Sequence, residues 1–173
     1  MNTVLAKKLR LWIFLLISVA LYFLIHEGVH VIVANYFGIF SGARFNLIGI
    51  EILVSGVSNL PKFYLALFSG LAPIVTISIG YFLFYLMPRF LVMDNKFLKG
   101  LLYYLTVVFL VLDPIYIGFL SFIVGGDVNG ISYGLNISEI YICIIFMSLA
   151  IFNLVLVFKK VIPAYTKAFL FEI

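Results

Sequence analysis

Charged residues are scarce in this chain of 173 residues, since Asp, Glu, Lys and Arg together make up 10% of it. Hydrophobic residues make up 65%, and the mean hydropathy is +1.26. A typical soluble domain has about a quarter of its residues charged, so this composition excludes an ordinary soluble protein. We therefore interpret the chain as an integral membrane protein that has the lipid bilayer as a partner.

Cysteine is nearly absent as well. The single cysteine, Cys143, lies in an apolar run, so we expect a small buried side chain and no internal disulfide. The 11 basic residues exceed the 7 acidic residues only slightly. The basic residues lie mainly at the ends of apolar runs, as is usual in membrane proteins, so the charge pattern predicts no nucleic-acid partner.

Long apolar runs dominate the rest of the sequence. Four of them, at about residues 11–36, 63–87, 97–124 and 139–158, are long enough to cross a bilayer as α-helices. They lack the ten-residue alternation of an outer-membrane barrel. The sequence therefore predicts an all-α, multi-pass membrane protein, with residues 1–173 forming one polytopic unit and the first span retained rather than cleaved.

The distribution of basic residues predicts the orientation. In a four-span topology, nine of the 11 Lys and Arg residues fall on one side, and only Arg44 and Lys62 fall on the other. Lys and Arg in short loops are retained on the cytoplasmic side of a membrane. We therefore expect a cell-membrane protein with both termini in the cytoplasm.

The linker between the first and second runs has a strand pattern. From residue 44 to residue 57, apolar residues recur at every second position, at Ile48, Ile50, Ile52 and Val54. This alternation predicts one or two short strands at the membrane edge. Such strands can simply cap the helical bundle, or they can present an exposed edge that binds an extended peptide by strand addition.

Both histidines of the chain lie in the first apolar run, in the segment "HEGVH" at residues 26–30. A helix has about 3.6 residues per turn, so His26 and His30 share one face and can bind one metal ion. Glu27 is turned by about 100° from His26, where its carboxylate can take a proton from a water molecule at the metal. Two imidazoles, a carboxylate and an open position for water favour zinc.

The membrane setting strengthens this interpretation. An ionisable side chain at the centre of a bilayer costs at least ~2.5–3.5 kcal/mol on insertion scales, so such groups usually mark a function. Polar side chains satisfied by neighbouring helices are the structural alternative. A glutamate between two histidines in an apolar span favours the metal site.

A catalytic zinc also needs a third protein ligand, and the sequence leaves several candidates. Asp127, in "GGDVNG" after the third run, lies where irregular backbone can return a carboxylate to the bundle. Asp113, in "LDPI" within that run, is its rival, although it can instead satisfy backbone groups that Pro114 leaves free. Glu139 is expected to serve the start of the fourth helix, and Glu51 also remains a candidate.

Three segments resemble the site-2 protease family of intramembrane zinc metalloproteases. They are "HEGVHVIVANYFG" at residues 26–38, "FSGLAPIV" at residues 68–75 and "GGDVNGI" at residues 125–131.

The resemblance implies that His26, His30 and Asp127 bind one catalytic zinc ion and that Glu27 is the general base. It also implies a zinc endopeptidase that cuts a transmembrane segment of another protein, with the strands of the first linker receiving the substrate.

Two other functions remain open. One is a membrane zinc peptidase of a different family, with Glu139 or Glu51 as the third ligand. The other is a non-catalytic metal-binding protein that acts as a membrane scaffold or transports a cation.

Overall fold

The computed structural model describes residues 3–46, 49–56 and 60–170. These residues form α-helices joined by short connections, with one β-hairpin between the first and second long helices, which confirms the predicted fold class. In chain order the elements are α1 (Thr3–Tyr36), β1 (Phe40–Asn46), β2 (Gly49–Val54), α2 (Lys62–Leu91), α3 (Lys96–Ile115), α4 (Ser121–Val124), α5 (Asp127–Leu135), α6 (Glu139–Leu156) and α7 (Ile162–Leu170), with π-helical turns at Tyr116–Leu120 and Val157–Val161.

Within the described ranges, four helical stretches are long and apolar enough to cross a membrane. They are Leu9–Tyr36, Lys62–Leu91, Lys96–Ile123 and Glu139–Phe169. Their outer faces expose large apolar side chains such as Trp12 and Ile123. Because such a surface is stable against lipid rather than water, the chain is a multi-pass membrane protein.

The hairpin lies between α1 and α2. Its strands are antiparallel, with Ala43 of β1 opposite Ile52 of β2. The first strand begins at Phe40, before the predicted start at residue 44, because the alternation that marked the strands belongs mainly to β2. Three residues of the predicted strand segment, Leu47, Ile48 and Val57, lie outside the described residues.

The segment after the third span is more ordered than predicted. We expected an irregular linker there, but only Gly125 and Gly126, both with positive φ, are non-helical before α5 begins. The apolar residues Val128 and Ile131 of α5 pack against Ile117. Burial of this apolar face stabilises a short helix that the polar and glycine-rich sequence does not suggest.

The last span is longer than predicted. We expected it to end near residue 158, but a π-helical turn at Val157–Val161 leads into α7, which continues past Pro163 to Leu170. Local π adjustments are one way in which a membrane helix continues through a proline. Val161 and Tyr165 are buried against Leu110 of α3. This packing stabilises the helix beyond Lys159, Lys160 and Pro163.

The third span is held closely between its neighbours. A Cβ added to Gly80 of α2 would lie 2.8 Å from the backbone nitrogen of Leu110 in α3, so these two helices approach closely. On the other side, the Asn153 amide of α6 donates to the Leu110 carbonyl oxygen at 2.6 Å and accepts from the Tyr81 hydroxyl at 2.6 Å. These contacts fix the position of α3, which carries Asp113.

Candidate metal centre

His26 and His30 lie one turn apart on the buried face of α1. Their residues are 6% and 5% exposed, and their Nε2 atoms are 3.2 Å apart. The helical spacing therefore places two ring nitrogens side by side at a depth where water is scarce.

Asp127, the first residue of α5, completes a group of three. Its Oδ2 lies 3.2 Å from Nε2 of His26, and its Oδ1 lies 3.3 Å from Nε2 of His30. One ligand atom from each of the three residues lies within 4.8 Å of the others. Two histidines of α1 and a carboxylate from a distant part of the chain thus meet at one point.

The position of Asp127 depends on how closely α5 approaches α2. A Cβ added to Gly130 would overlap Ser69 of α2, and one added to Gly134 would lie 2.7 Å from Cβ of Ala66. A real Cβ does not approach other atoms this closely, so glycine is needed at both positions. The two glycines let α5 lie against α2 and so hold Asp127 beside the histidines.

The hydrogen bonds on the far side of each imidazole define which nitrogen carries a proton. Nδ1 of His26 lies 3.1 Å from Oδ1 of Asp113, and Nδ1 of His30 lies 2.9 Å from the carbonyl oxygen of Phe68. A carboxylate and a carbonyl only accept hydrogen bonds, so Nδ1 is the donor in both rings. In the neutral rings, both Nε2 lone pairs then face Asp127, the arrangement that metal-binding histidines adopt.

The acidic side chains of the cluster are compatible with a bound cation. Burial raises the pKa of the Asp127 carboxyl, but when both histidines are protonated the hydrogen bonds and positive charges of His26 and His30 lower it by more, so this pKa then lies below its ordinary value. Among the described residues, the ion pairs of Asp113 and Asp127 are to histidine, not to lysine or arginine. Buried carboxylates need a paired charge or a metal ion, and one divalent cation would balance both aspartates.

The spacing also fits zinc. A tetrahedral zinc ion with bonds of about 2.0 Å holds its ligand atoms about 3.3 Å apart. The three separations here, between the two Nε2 atoms and from each of them to an Asp127 oxygen, are 3.2, 3.2 and 3.3 Å. The two Asp127 distances are to different carboxylate oxygens, so His26, His30 and Asp127 are compatible with one metal ion of this size.

Glu27 lies next to this group on α1 and is half-buried. Among residues 3–46, 49–56 and 60–170, no hydrogen bond or ion pair holds its carboxylate in place. A carboxylate that interacts electrostatically with His26 and His30 but is not tied to another side chain is able to accept a proton from a water molecule.

The acidic residues that the sequence left as candidates occupy different places. Asp127 faces the Nε2 atoms, whereas Asp113 faces Nδ1 of His26, on the opposite side of that ring. Glu51 pairs with Arg44 of the hairpin at 2.7 Å, and Glu139 begins α6. The structure thus brings neither Glu51 nor Glu139 into the group of three.

Two contributors to the site were not found from the sequence. The Tyr22 hydroxyl donates to Oδ1 of Asp113 at 2.6 Å, and the backbone carbonyl of Phe68 orients His30. Tyr22 precedes His26 by four residues, so the helical period would have placed it on the same face. The Phe68 carbonyl has no signal in the sequence, because its role depends on where α2 packs against α1.

No protein-family model, curated protein or solved structure matches this chain. The resemblance of three segments to site-2 proteases therefore remains a hypothesis based on those segments. A function for the chain has to be argued from the chemistry of the cluster itself.

Proposed function

We propose that this protein is an intramembrane zinc metalloendopeptidase that hydrolyses peptide bonds of transmembrane substrate proteins. The observation that carries the proposal is the convergence of the two Nε2 atoms and the Asp127 carboxylate, and Glu27 follows His26 directly in α1. This is the ligand set of a hydrolytic zinc site with one open position.

The proposed reaction divides the work between the metal and one carboxylate. Zinc bound by His26, His30 and Asp127 would polarise the scissile carbonyl and lower the pKa of a water molecule toward ~7. Glu27 takes the proton from that water as the water attacks the carbonyl carbon. Glu27 then gives the proton to the departing amine as the carbon–nitrogen bond breaks.

The location of the cluster supports a substrate that is itself in the membrane. His26 and His30 lie within the apolar span Leu9–Tyr36, toward the end that leads into the hairpin. Within the described residues, β1 pairs only with β2, so each strand has an edge that an extended peptide can pair with. A transmembrane segment that unwinds locally would meet the hairpin and the cluster together.

The orientation is part of the proposal. The excess of basic residues at the chain ends and in the α2–α3 connection favours cytoplasmic termini in a cell membrane. With four spans, the hairpin and α5 then lie toward the opposite side of the membrane.

The test is the substitution Glu27→Gln in the full-length protein reconstituted into liposomes. The substrates are tagged single-span proteins with Gly, Pro or Asn in the span. We expect the variant to keep one zinc per chain, measured by mass spectrometry of the metal, because Glu27 is not a ligand. Cleavage, followed as a shortened tagged fragment, should fall by about 10²–10⁴-fold, the usual contribution of a general base.

The matched control is Glu139→Gln, which changes the same group at the exposed start of α6. It should leave both zinc content and cleavage unchanged, whereas loss of zinc would favour the peptidase with Glu139 as third ligand. Undiminished cleavage by Glu27→Gln would refute the mechanism. A wild-type protein that holds zinc but cleaves no substrate of the panel would instead support the non-catalytic metal-binding protein.

A further inference from the structure

Asp113 is completely buried, and the proposed reaction does not use it. Its Oδ1 accepts from the Tyr22 hydroxyl at 2.6 Å and lies 3.1 Å from Nδ1 of His26, which is also 3.4 Å from that hydroxyl. Its Oδ2 accepts from the Thr76 hydroxyl. Within the described part of the chain, the carboxylate thus contacts the ligand histidine His26 and two hydroxyl groups that orient it.

We propose that Asp113 is a positioning residue that holds His26 in the tautomer and orientation required to bind the metal ion. The inference rests on the metal site of the proposed function. Because Asp113 accepts the Nδ1 proton of His26, the lone pair of that ring is fixed on Nε2, which faces Asp127. The negative charge behind the ring also makes Nε2 a stronger ligand.

The position of Asp113 is determined by three helices. Tyr22 and His26 belong to α1, Thr76 belongs to α2, and Asp113 itself belongs to α3. Thr76 and Tyr22 orient the carboxylate, so the His26 ring cannot turn without breaking bonds that join different helices. A histidine on a single helix is thereby made part of a rigid site.

The geometry also separates Asp113 from the metal ligands. The imidazole of His26 lies between Asp113 on Nδ1 and the group formed by Nε2, His30 and Asp127. His30 is oriented differently, because its Nδ1 donates to the Phe68 carbonyl rather than to a carboxylate. Loss of Asp113 should therefore weaken the metal site without removing a ligand.

The experiment measures metal binding by the full-length protein in detergent micelles, by competition with a chromophoric zinc chelator. Asp113→Asn should weaken zinc binding by about 10- to 100-fold, the range for loss of a group that orients a metal-bound histidine. Asp127→Ala, which removes a proposed ligand, should weaken it more. The matched control is Asp94→Asn, in the exposed α2–α3 connection, which should bind zinc as tightly as the wild type.

Cobalt supplies a readout that a merely structural role would not change. At saturating Co²⁺, Asp113→Asn should keep the visible absorption bands of the wild type, because the ligand atoms are the same. Bands altered as in Asp127→Ala would show that Asp113 is itself a ligand, and that result would overturn the proposal.

A second variant covers the case in which Asp113→Asn does not fold. Tyr22→Phe keeps the ring but removes the hydroxyl that orients Asp113, and it should weaken zinc binding in the same direction by a smaller factor. Wild-type affinity in the folded Asp113 variant, or in Tyr22→Phe where that variant does not fold, would overturn the proposal.

The titration involves no cleavage, so it separates this inference from the proposed function. A wild-type protein that binds zinc but cleaves nothing would overturn the proposed function and leave the role of Asp113 standing. A wild-type protein that cleaves, together with an Asp113→Asn variant that binds zinc equally well, would overturn this role alone.

Discussion

Gly130 lies three residues after Asp127, where α5 meets α2, and a methyl group there should disturb the metal centre without touching it. The Cβ of Gly130→Ala would overlap Oγ of Ser69 and lie 2.8 Å from Cβ of Ser69. The hydroxyl can rotate away, but the carbon cannot. Because ordinary contacts begin at 3.4 Å, α5 must move away from α2 by about 0.6 Å.

This displacement is large for a metal site. Ligand distances have to hold within about 0.2 Å, and Asp127 is on the same short helix as Gly130. We expect Gly130→Ala to weaken zinc binding by about 10- to 100-fold, as when a group that orients a ligand is lost. A weaker helix does not explain such a loss, because alanine favours a helix over glycine by about 1 kcal/mol.

The assay is the competition with a zinc chelator in micelles. A second substitution, at Ser69, tests whether removing the clash restores zinc binding. Ser69→Gly removes both atoms that the new methyl group meets, and the next neighbour, the Leu65 carbonyl oxygen, is 3.6 Å away. The double variant should therefore bind zinc nearly as tightly as Ser69→Gly alone. The control is Gly28→Ala, next to Glu27, where an added Cβ has no neighbour within 4 Å and zinc binding should not change.

Two results would refute this reasoning. One is zinc binding by Gly130→Ala that equals that of the wild type. The other is a double variant that binds no better than Gly130→Ala alone, because the loss would then not arise from the contact with Ser69.

Two further predictions follow from other contacts. Gly126→Ala should also weaken zinc binding, because φ is +86° there and a Cβ would overlap the Tyr116 hydroxyl, and the competition assay would contradict this if affinity were unchanged. Asn153→Ala should lower the free energy of unfolding in micelles by about 1–2 kcal/mol, since it loses bonds to Leu110 and Tyr81 in an apolar interior. Zinc binding should be unaffected in that variant, and a loss of zinc without a loss of stability would show that Asn153 belongs to the site.

The prediction from the sequence was wrong where packing overrides local signals. The fourth apolar run predicted a helix that ends near residue 158, yet burial of Val161 and Tyr165 continues it past Pro163 to Leu170. Glycines suggested a loop after the third span, yet the close approach of α5 to α2 makes a helix of residues 127–135. In both cases the free energy of burial in the bundle exceeds the helix-breaking preference of individual residues.

The candidate site also has one part that the sequence determines and another that only the packing of the helices determines. Membrane insertion and the pairing of His26 with His30 follow from the sequence alone, because hydropathy and the helical period are local properties. The sequence alone does not determine whether Asp113 or Asp127 meets the Nε2 atoms, because both aspartates lie on segments distant from the histidines. Only the packing of α1, α2, α3 and α5 decided it, by placing Asp127 at the open side of the imidazoles and Asp113 behind one of them.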